Sequence, residues 1–351
     1  MIGLEAVWKK HLLKFNFEAK TSRDTLRERP VWFIIVKKNG KPVAIGECAW
    51  LKGLSIESEQ DIEPMLSAIC KDFGSYFSNP ELLRKWPSIQ MALDMIRAQI
   101  ESGQWLNPFP GKFAEGKQEI PINGLVWMGS KDAMLQSLEA KIAEGFKCVK
   151  LKIGGIDFQE ELRLLEFVRN QYNENEIEIR LDANGAFAFN EAIHKLKSLA
   201  KFKIHSIEQP IKQGHWEKMA EIVAESPIPI ALDEELIGMD ELEQKAALLE
   251  LIKPRYIILK PSLIGGFSAS QEWIDAAEKQ GIQWWLTSML ESNIGLNALA
   301  QWVSTKDTFN LPQGLGTGKL YSNNVDCGLE IAYGFIRYNP NTPWNLRNIE
   351  E

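Results

Sequence analysis

From about Ile120 onward, short apolar runs alternate with amphipathic stretches at a regular step, and no other feature constrains the fold as tightly. The runs are Gly124–Met128, Cys148–Ile153, Ile177–Leu181, Ile204–Ile207, Ile228–Leu232, Tyr256–Leu259, Gln283–Leu286 and, with a weaker pattern, Phe309–Leu315. Between them lie segments of helical periodicity: Asp132–Ala143 (closed by Gly145), Gln159–Gln171, Asn190–Ala200, Trp216–Ala224, Met239–Leu251, Ser268–Lys279 and Leu296–Val303. A glycine just beyond a periodic stretch reads as a helix stop. Eight strands separated by seven helices predict a parallel barrel of the TIM-like (β/α)7β type.

The barrel is expected over residues 119–318. Residues 1–118 read as a separate α+β domain, and residues 319–351 as a segment that packs back on it. In the first domain, Val31–Val36 and Val43–Trp50 flank Asn39-Gly40, which predicts a hairpin. Helices are expected at Asp61–Asp72 and Ser88–Ile100, the second with Pro87 in its first turn. Thr21–Pro30 is polar and aperiodic, and is read as a mobile loop able to close over a site.

Active sites of such barrels lie at the C-terminal ends of the strands. The second strand ends in Lys150-Leu151-Lys152, the third in Arg180-Leu181-Asp182-Ala183-Asn184, the fourth in Glu208-Gln209-Pro210, the fifth in Asp233-Glu234-Glu235 and the sixth in Lys260-Pro261-Ser262. The steps from Lys152 to Asp182, Glu208, Asp233 and Lys260 are 30, 26, 25 and 27 residues, each about one βα unit. Five consecutive strands thus present charge at one height. Residues i and i+2 share a face, so Lys150 joins Lys152, and Arg180 and Asn184 join Asp182. Singly, each carboxylate could belong to a barrel-mouth salt bridge. As a set, three carboxylates on adjacent strands form an oxygen-rich cluster suited to Mg²⁺, with Mn²⁺ able to substitute. No histidine or cysteine joins them, which disfavours zinc.

Two lysines flanking a metal point to acid/base chemistry on both faces of a carbon acid. A lysine that is a neutral base at pH 7 needs its pKa lowered by roughly 3 units, or about 4 kcal/mol. Lys150, Arg180 and the metal are the expected sources of that push.

Lys150-x-Lys152, Asp182-x-Asn184, Glu208-Gln-Pro210, Asp233-Glu234 and Lys260-Pro261 together resemble the enolase superfamily, in its muconate-lactonising branch. The resemblance covers essentially the whole chain and implies that the first domain caps the barrel. It also implies that Asp182, Glu208 and Asp233 bind Mg²⁺, and that Lys152 and Lys260 are the acid/base pair. Within the branch, Thr287-Ser-Met-Leu-Glu-Ser-Asn-Ile-Gly295, Arg180 and Gly314-Leu315-Gly316-Thr317 resemble the o-succinylbenzoate synthase family. That family implies dehydration of 2-succinyl-6-hydroxy-2,4-cyclohexadiene-1-carboxylate to o-succinylbenzoate, a step of menaquinone synthesis. Lys150, Arg180, Asn184, Ser288 and the Gly314 backbone are then the expected substrate contacts. Dipeptide epimerases of the branch usually carry Asp-x-Asp where this chain has Gly314-Leu315-Gly316. The alternative is an N-succinyl- or N-acylamino acid racemase, or a dipeptide epimerase, using the same two lysines. A Schiff-base aldolase would need one activated lysine but not the three carboxylates, and a non-catalytic barrel would not need every position filled.

The formal net charge is −7 and no Lys/Arg-rich run occurs, which argues against a nucleic-acid partner. No apolar stretch is long enough to span a membrane, and MIGLEAVWKK lacks the apolar core of a signal peptide. Cys48, Cys70, Cys148 and Cys327 are widely spaced and read as reduced thiols, consistent with a cytoplasmic location. The expected partner is a small dicarboxylate substrate.

Overall fold

The computed structural model describes residues 3–20 and 25–350. The first domain opens with an antiparallel sheet of β1 (Leu4–Lys20), β2 (Thr25–Lys38) and β3 (Lys41–Cys48), followed by α1 (Glu59–Lys71), α2 (Phe73–Ser78) and α3 (Pro87–Ser102). In β2 the alternate residues divide between two cores. Trp32, Ile34 and Val36 face a cluster with helical Ile62, Leu66, Leu93 and Ile96, while Val31, Phe33 and Ile35 join the large barrel cluster. Both faces of β2 are therefore buried from Val31 to Val36, with a period of two. Pro87 at the start and Gly103, with φ 67°, at the end bound α3. Its Ala92 carbonyl sits so close to β3 that a Cβ on Gly46 would come within 2.0 Å of it.

The β1–β2 hairpin corrects one expectation. Residues 25–30 are strand, paired from Lys20↔Thr25 to Leu12↔Pro30, rather than loop. Polar residues conceal this strand because Arg29 is buried through bonds to backbone carbonyls. The remainder of the expected loop, 21–24, lies outside the described residues.

After β4 (Ile120–Pro121), the barrel strands are β5 (Gly124–Val126), β6 (Cys148–Lys152), β7 (Glu178–Asp182), β8 (Ser206–Glu208), β9 (Ile230–Leu232), β10 (Tyr256–Leu259) and β11 (Gln283–Leu286). They form one parallel sheet in sequence order. The intervening helices are α4 (Lys131–Ala143), α5 (Phe158–Gln171), α6 (Phe189–Leu199), α7 (Trp216–Glu225), α8 (Leu242–Ile252), the short α9 (Pro261–Ile264) with α10 (Gly266–Glu278), and α11 (Asn293–Ser304). The eighth run is reduced to two bridges, Ile122↔Gln313 and Thr287↔Gly314. They nevertheless close the circle: Asn123 N donates to the Gln313 carbonyl at 3.0 Å, and Gly314 N donates to Leu286 at 2.7 Å. Buried Gln313 also accepts from Leu286 N through its side chain, replacing a missing ladder bond. The chain ends with β12 (Leu329–Ala332) and β13 (Phe335–Tyr338), which pair with each other, β13 also pairing with β4, and with α12 (Arg347–Glu350). Tyr321 bridges Phe15 of β1, with Asn16 N donating to the Leu320 carbonyl. Among the described residues no helix is long and apolar enough to cross a membrane.

Two buried carboxylates dock the first domain on barrel helices. Asp94 of α3 accepts from Ser268 N and Oγ, at 3.0 and 3.1 Å, in the first turn of α10. Glu47 of β3 accepts from Ser292 N, Ser292 Oγ and Gly295 N at 2.8, 2.5 and 2.8 Å, where α11 begins. Free N–H groups at a helix start favour such an acceptor. Burial nevertheless lifts the Glu47 carboxyl from 4.5 to about 7, against the pull of those donors.

A pKa raised in the folded state means that the folded protein holds the proton more tightly. The resulting stability is full below about pH 4.5 and is lost as pH rises through about 7. Glu47→Gln cannot titrate. Denaturant unfolding should therefore show the stability of the wild type relative to Glu47→Gln falling by about 3 kcal/mol between pH 4.5 and 7.5. A difference independent of pH contradicts this.

Candidate active site

Register brings the charged strand ends together. Lys152 of β6 pairs with Asp182 of β7, and Asp182 with Glu208 of β8. Lys150 and Lys152 point the same way, as alternate strand residues must. Lys150 Nζ donates to Glu208 Oε2 at 2.6 Å and lies 3.0 Å from Asp182 Oδ2. Lys152 Nζ reaches the same Asp182 oxygen at 2.9 Å and Asn184 Oδ1 at 2.7 Å. Across the barrel, Lys260 Nζ bonds Asp233 and lies 3.8 Å from Glu208 Oε1. Asn184, in the left-handed region with φ 44°, turns its amide to Glu234 Oε1 at 3.0 Å.

Charge shifts follow from this crowding. Burial raises Asp182, but Lys150, Lys152 and Lys260 outweigh it and hold the carboxyl far below the usual range. Burial lowers Lys150 and Lys260, yet the carboxylates around them win and both are raised. Glu208 moves the other way: burial and the adjacent charge of Asp182 lift it, against Lys150. Its Oε1 is buried and has no hydrogen-bond partner.

Among the described residues no three acidic, histidine or cysteine side chains converge as a ready metal cage, because lysines occupy the carboxylate oxygens. The donor set still suits a hard divalent cation: three carboxylates on neighbouring strands, one with an orphaned buried oxygen.

A cavity of about 570 Å³ opens above this ring. Lys150, Lys152, Asp182, Asn184, Lys260, Ser288 and Gly314 all line it. Arg180 does not, which corrects its expected role. Its guanidinium sits deeper in the barrel, donating to Glu178 at 2.7 Å and the Pro312 carbonyl at 2.8 Å, and stacks 4.1 Å from the Trp285 ring centroid. With Glu178 as partner, its charge is neutralised rather than directed at Lys152. Two further expectations change. The Gly314 N–H is used by the Leu286 carbonyl. The Ser288 hydroxyl donates to Glu291 Oε2 at 2.5 Å and accepts from Thr317 and from Leu290 N. Both are wall, with their donors already engaged. Phe17, Leu26, Lys52 and Lys319 also line the cavity. None is marked in the sequence, because each lies outside the repeating strand-end register.

The sequence over residues 133–340 matches the enolase C-terminal domain-like family. The chain belongs to that family, in the muconate-lactonising branch of the enolase superfamily. It is 41% identical to an o-succinylbenzoate synthase of Desulfotalea psychrophila, over 96% of this chain and 99% of that protein. The crystal structure of MenC from Desulfotalea psychrophila aligns with a TM-score of 0.81 at 38% identity, covering 95% of this chain and 99% of the other. An N-succinylamino acid racemase of Thermus thermophilus is 31% identical over 75% of this chain and 71% of its own length.

Gly314 is required for the barrel seam. A Cβ there would lie 2.5 Å from Thr287 Oγ1 and 2.8 Å from Thr287 Cγ2, on the strand it must pair with. Gly314→Ala is expected to lose about 1–3 kcal/mol of stability in urea unfolding. Unchanged stability would show that Thr287 can move aside freely.

Proposed function

We propose that the protein catalyses the o-succinylbenzoate synthase reaction. It would dehydrate 2-succinyl-6-hydroxy-2,4-cyclohexadiene-1-carboxylate to o-succinylbenzoate as a cytoplasmic step of menaquinone synthesis. The observation that carries this reading is the charge of the cavity wall. Besides Asp182, the acids lining it are Glu18 and Glu144, and each is held by a cation: Glu18 by Arg27 at 2.5 Å and Glu144 by Lys141 at 2.8 Å. Lys52 and Lys319 line the same space and are exposed. A wall of this composition suits a dianion and offers nothing acidic to a dipeptide ammonium at Gly314-Leu315-Gly316. The 41% identity to a synthase over 96% of the chain supports the same choice.

In this reading Asp182, Glu208 and Asp233 hold Mg²⁺, with Mn²⁺ able to substitute. When bound, it neutralises the substrate carboxylate and the enediolate formed from it. Lys152 Nζ takes the proton α to the carboxylate and returns it to the departing hydroxyl, so that water leaves and the ring becomes aromatic. Asn184 Oδ1, at 2.7 Å, orients that amine. Lys260 remains an ammonium opposite and stabilises the developing negative charge, consistent with its raised pKa. Lys150 keeps Glu208 and Asp182 in place from below. Lys52 and Lys319 receive the succinyl carboxylate. Phe17 and Leu26 of the hairpin form part of the roof and exclude water.

The second reading is an N-succinylamino acid racemase, favoured by lysines on both sides of the cavity and by the Thermus relative. Its substrate is also a dianion. The ratio of kcat/KM for the cyclohexadiene and for N-succinyl amino acids separates the two, and the expected ratio is far above one. A racemase value equal to or above the synthase value overturns the choice.

Lys152→Ala should lose roughly 10²–10⁴ in kcat and all exchange of the substrate α-proton with solvent. Wild-type exchange in that variant would assign the base elsewhere. Mg²⁺ at a hundredfold excess over its dissociation constant should stabilise the wild type by about 2.7 kcal/mol in thermal or urea unfolding. Asp182→Asn, Glu208→Gln and Asp233→Asn should lose that increment together with activity. Full activity after exhaustive chelation would remove the metal from the mechanism.

A further inference from the structure

Arg29 of β2 is 2% exposed and takes no part in the chemistry above. Its Nη1 donates to the carbonyls of Met289 and Leu290 at 2.6 and 2.8 Å, and its Nη2 to the Trp50 carbonyl at 2.7 Å. These acceptors are fixed dipoles on two domains, gathered by one planar fork of donors. Leu290 stands in the left-handed region, with φ 64°. Few leucines adopt that conformation without external restraint. The restraints here are explicit. The Leu290 carbonyl also accepts from Tyr321 Oη at 2.6 Å, and Leu290 N donates to Ser288 Oγ at 3.1 Å. Ser288, Met289 and Leu290 form a continuous stretch of the cavity wall, and Thr317, which donates to Ser288 Oγ at 2.9 Å, adjoins it.

We propose that Arg29 is a positioning residue for the substrate: from the first domain, it holds the strained 288–290 turn of the barrel in the conformation that shapes the cavity wall. Releasing the two carbonyls lets Leu290 relax to negative φ. That rotation redirects the Met289 and Leu290 side chains and withdraws Leu290 N from Ser288. The ring of lysines and carboxylates is untouched, because it is carried by other strands. The effect therefore falls on substrate fit rather than on the proton-transfer groups. The choice of substrate rests on the function proposed above, whereas the state of the turn does not.

The test uses the full chain with two substitutions. Arg29→Lys keeps the charge but cannot span three carbonyls, and Arg29→Met keeps only the apolar stem. Arg29→Lys is expected to raise KM for the cyclohexadiene by roughly tenfold to a hundredfold with kcat within about threefold, Arg29→Met by more. Amide hydrogen exchange over residues 287–292 should accelerate in both variants while exchange in β6–β8 stays as in the wild type. Wild-type KM together with wild-type exchange at 287–292 in Arg29→Lys overturns the proposal. So does a fall in melting temperature with KM unchanged, which would make Arg29 simple interface support. If neither variant folds, Arg29→Gln decides, because its amide has two N–H donors in place of the guanidinium fork that gathers three carbonyls: unchanged KM and unchanged exchange at 287–292 in that variant also overturn the proposal. A wild-type protein that does not turn over the cyclohexadiene defeats the functional reading alone, since the exchange measurement still decides the role of Arg29.

Discussion

Six ionisable side chains share the mouth of one barrel, and their mutual neutralisation is the interaction on which the site depends. Lys150, Lys152 and Lys260 stand against Asp182, Glu208 and Asp233, with Lys150 and the three carboxylates buried and Lys152 and Lys260 partly so. Any one of them alone in that place would cost several kcal/mol of desolvation. Arranged in alternation, each supplies the counter-charge its neighbour needs, and the protonation states of the set become collective. The set is not complete in hydrogen bonds, since Glu208 Oε1 has no partner. A ring of this kind can accept one further cation with little rearrangement of backbone. A lysine whose carboxylate is taken by a competing ligand loses the interaction that favours its charged form.

How much of this was legible in the sequence depends on whether a feature repeats. The strand-end charges recur once per βα unit and all fall where the period places them, from Lys152 to Lys260. The seven helical connections between the strands follow the same step, one of them split into α9 and α10. The eighth strand was the weakest run, and the reason is visible. Gln313 and Gly314 carry the pairing by two bridges, with the Gln313 side chain standing in for backbone. The long strand β1 escapes notice because Lys9, Lys10 and Lys14 interrupt its apolar alternation. Arg180 sits on the right face of the right strand, but two residues is one layer of a barrel, and that layer is closed by Glu178 and Trp285. Periodicity gives the direction of a side chain and not its depth.

Contacts between the domains leave no such pattern. Glu47, Asp94 and Arg29 are isolated polar residues within apolar or mixed segments, and each finds its partner more than 170 positions away, at Ser292, Ser268 and Leu290. All three use backbone groups of the barrel as partners. Backbone donors and acceptors are present whatever the side chains are, so nothing in the partner sequence announces the contact. The physical consequence is a directional joint. Apolar surfaces can slide at little cost, whereas a carboxylate on the first N–H groups of a helix, or a guanidinium on two adjacent carbonyls, tolerates only a narrow range of positions. The first domain is thereby registered on α10, α11 and the 288–290 turn.

In the function proposed above, that registration separates the ring of charges from the wall that receives the rest of the substrate. The ring is built on short parallel strands whose ends are held by neighbours on both sides, and proton removal next to a carboxylate needs only its geometry. The fate of the resulting carbanion depends on the wall: on whether a leaving group has room to depart, and on which charge the distal part of the substrate meets. In this protein the wall comes from three places, the hairpin with Phe17 and Leu26, the turn at Ser288–Leu290, and the segment from Gly314 to Leu320. In the function proposed above, none of them contributes a ligand or a base. Substitutions there can change the outcome of the reaction while leaving the buried charge balance intact, and substitutions in the ring cannot do so without first unbalancing it. Two of the three wall segments are themselves tightly held, Leu290 by Arg29 and Tyr321 and Gly314 by its close approach to Thr287, so the wall's shape is fixed by contacts separate from those of the ring.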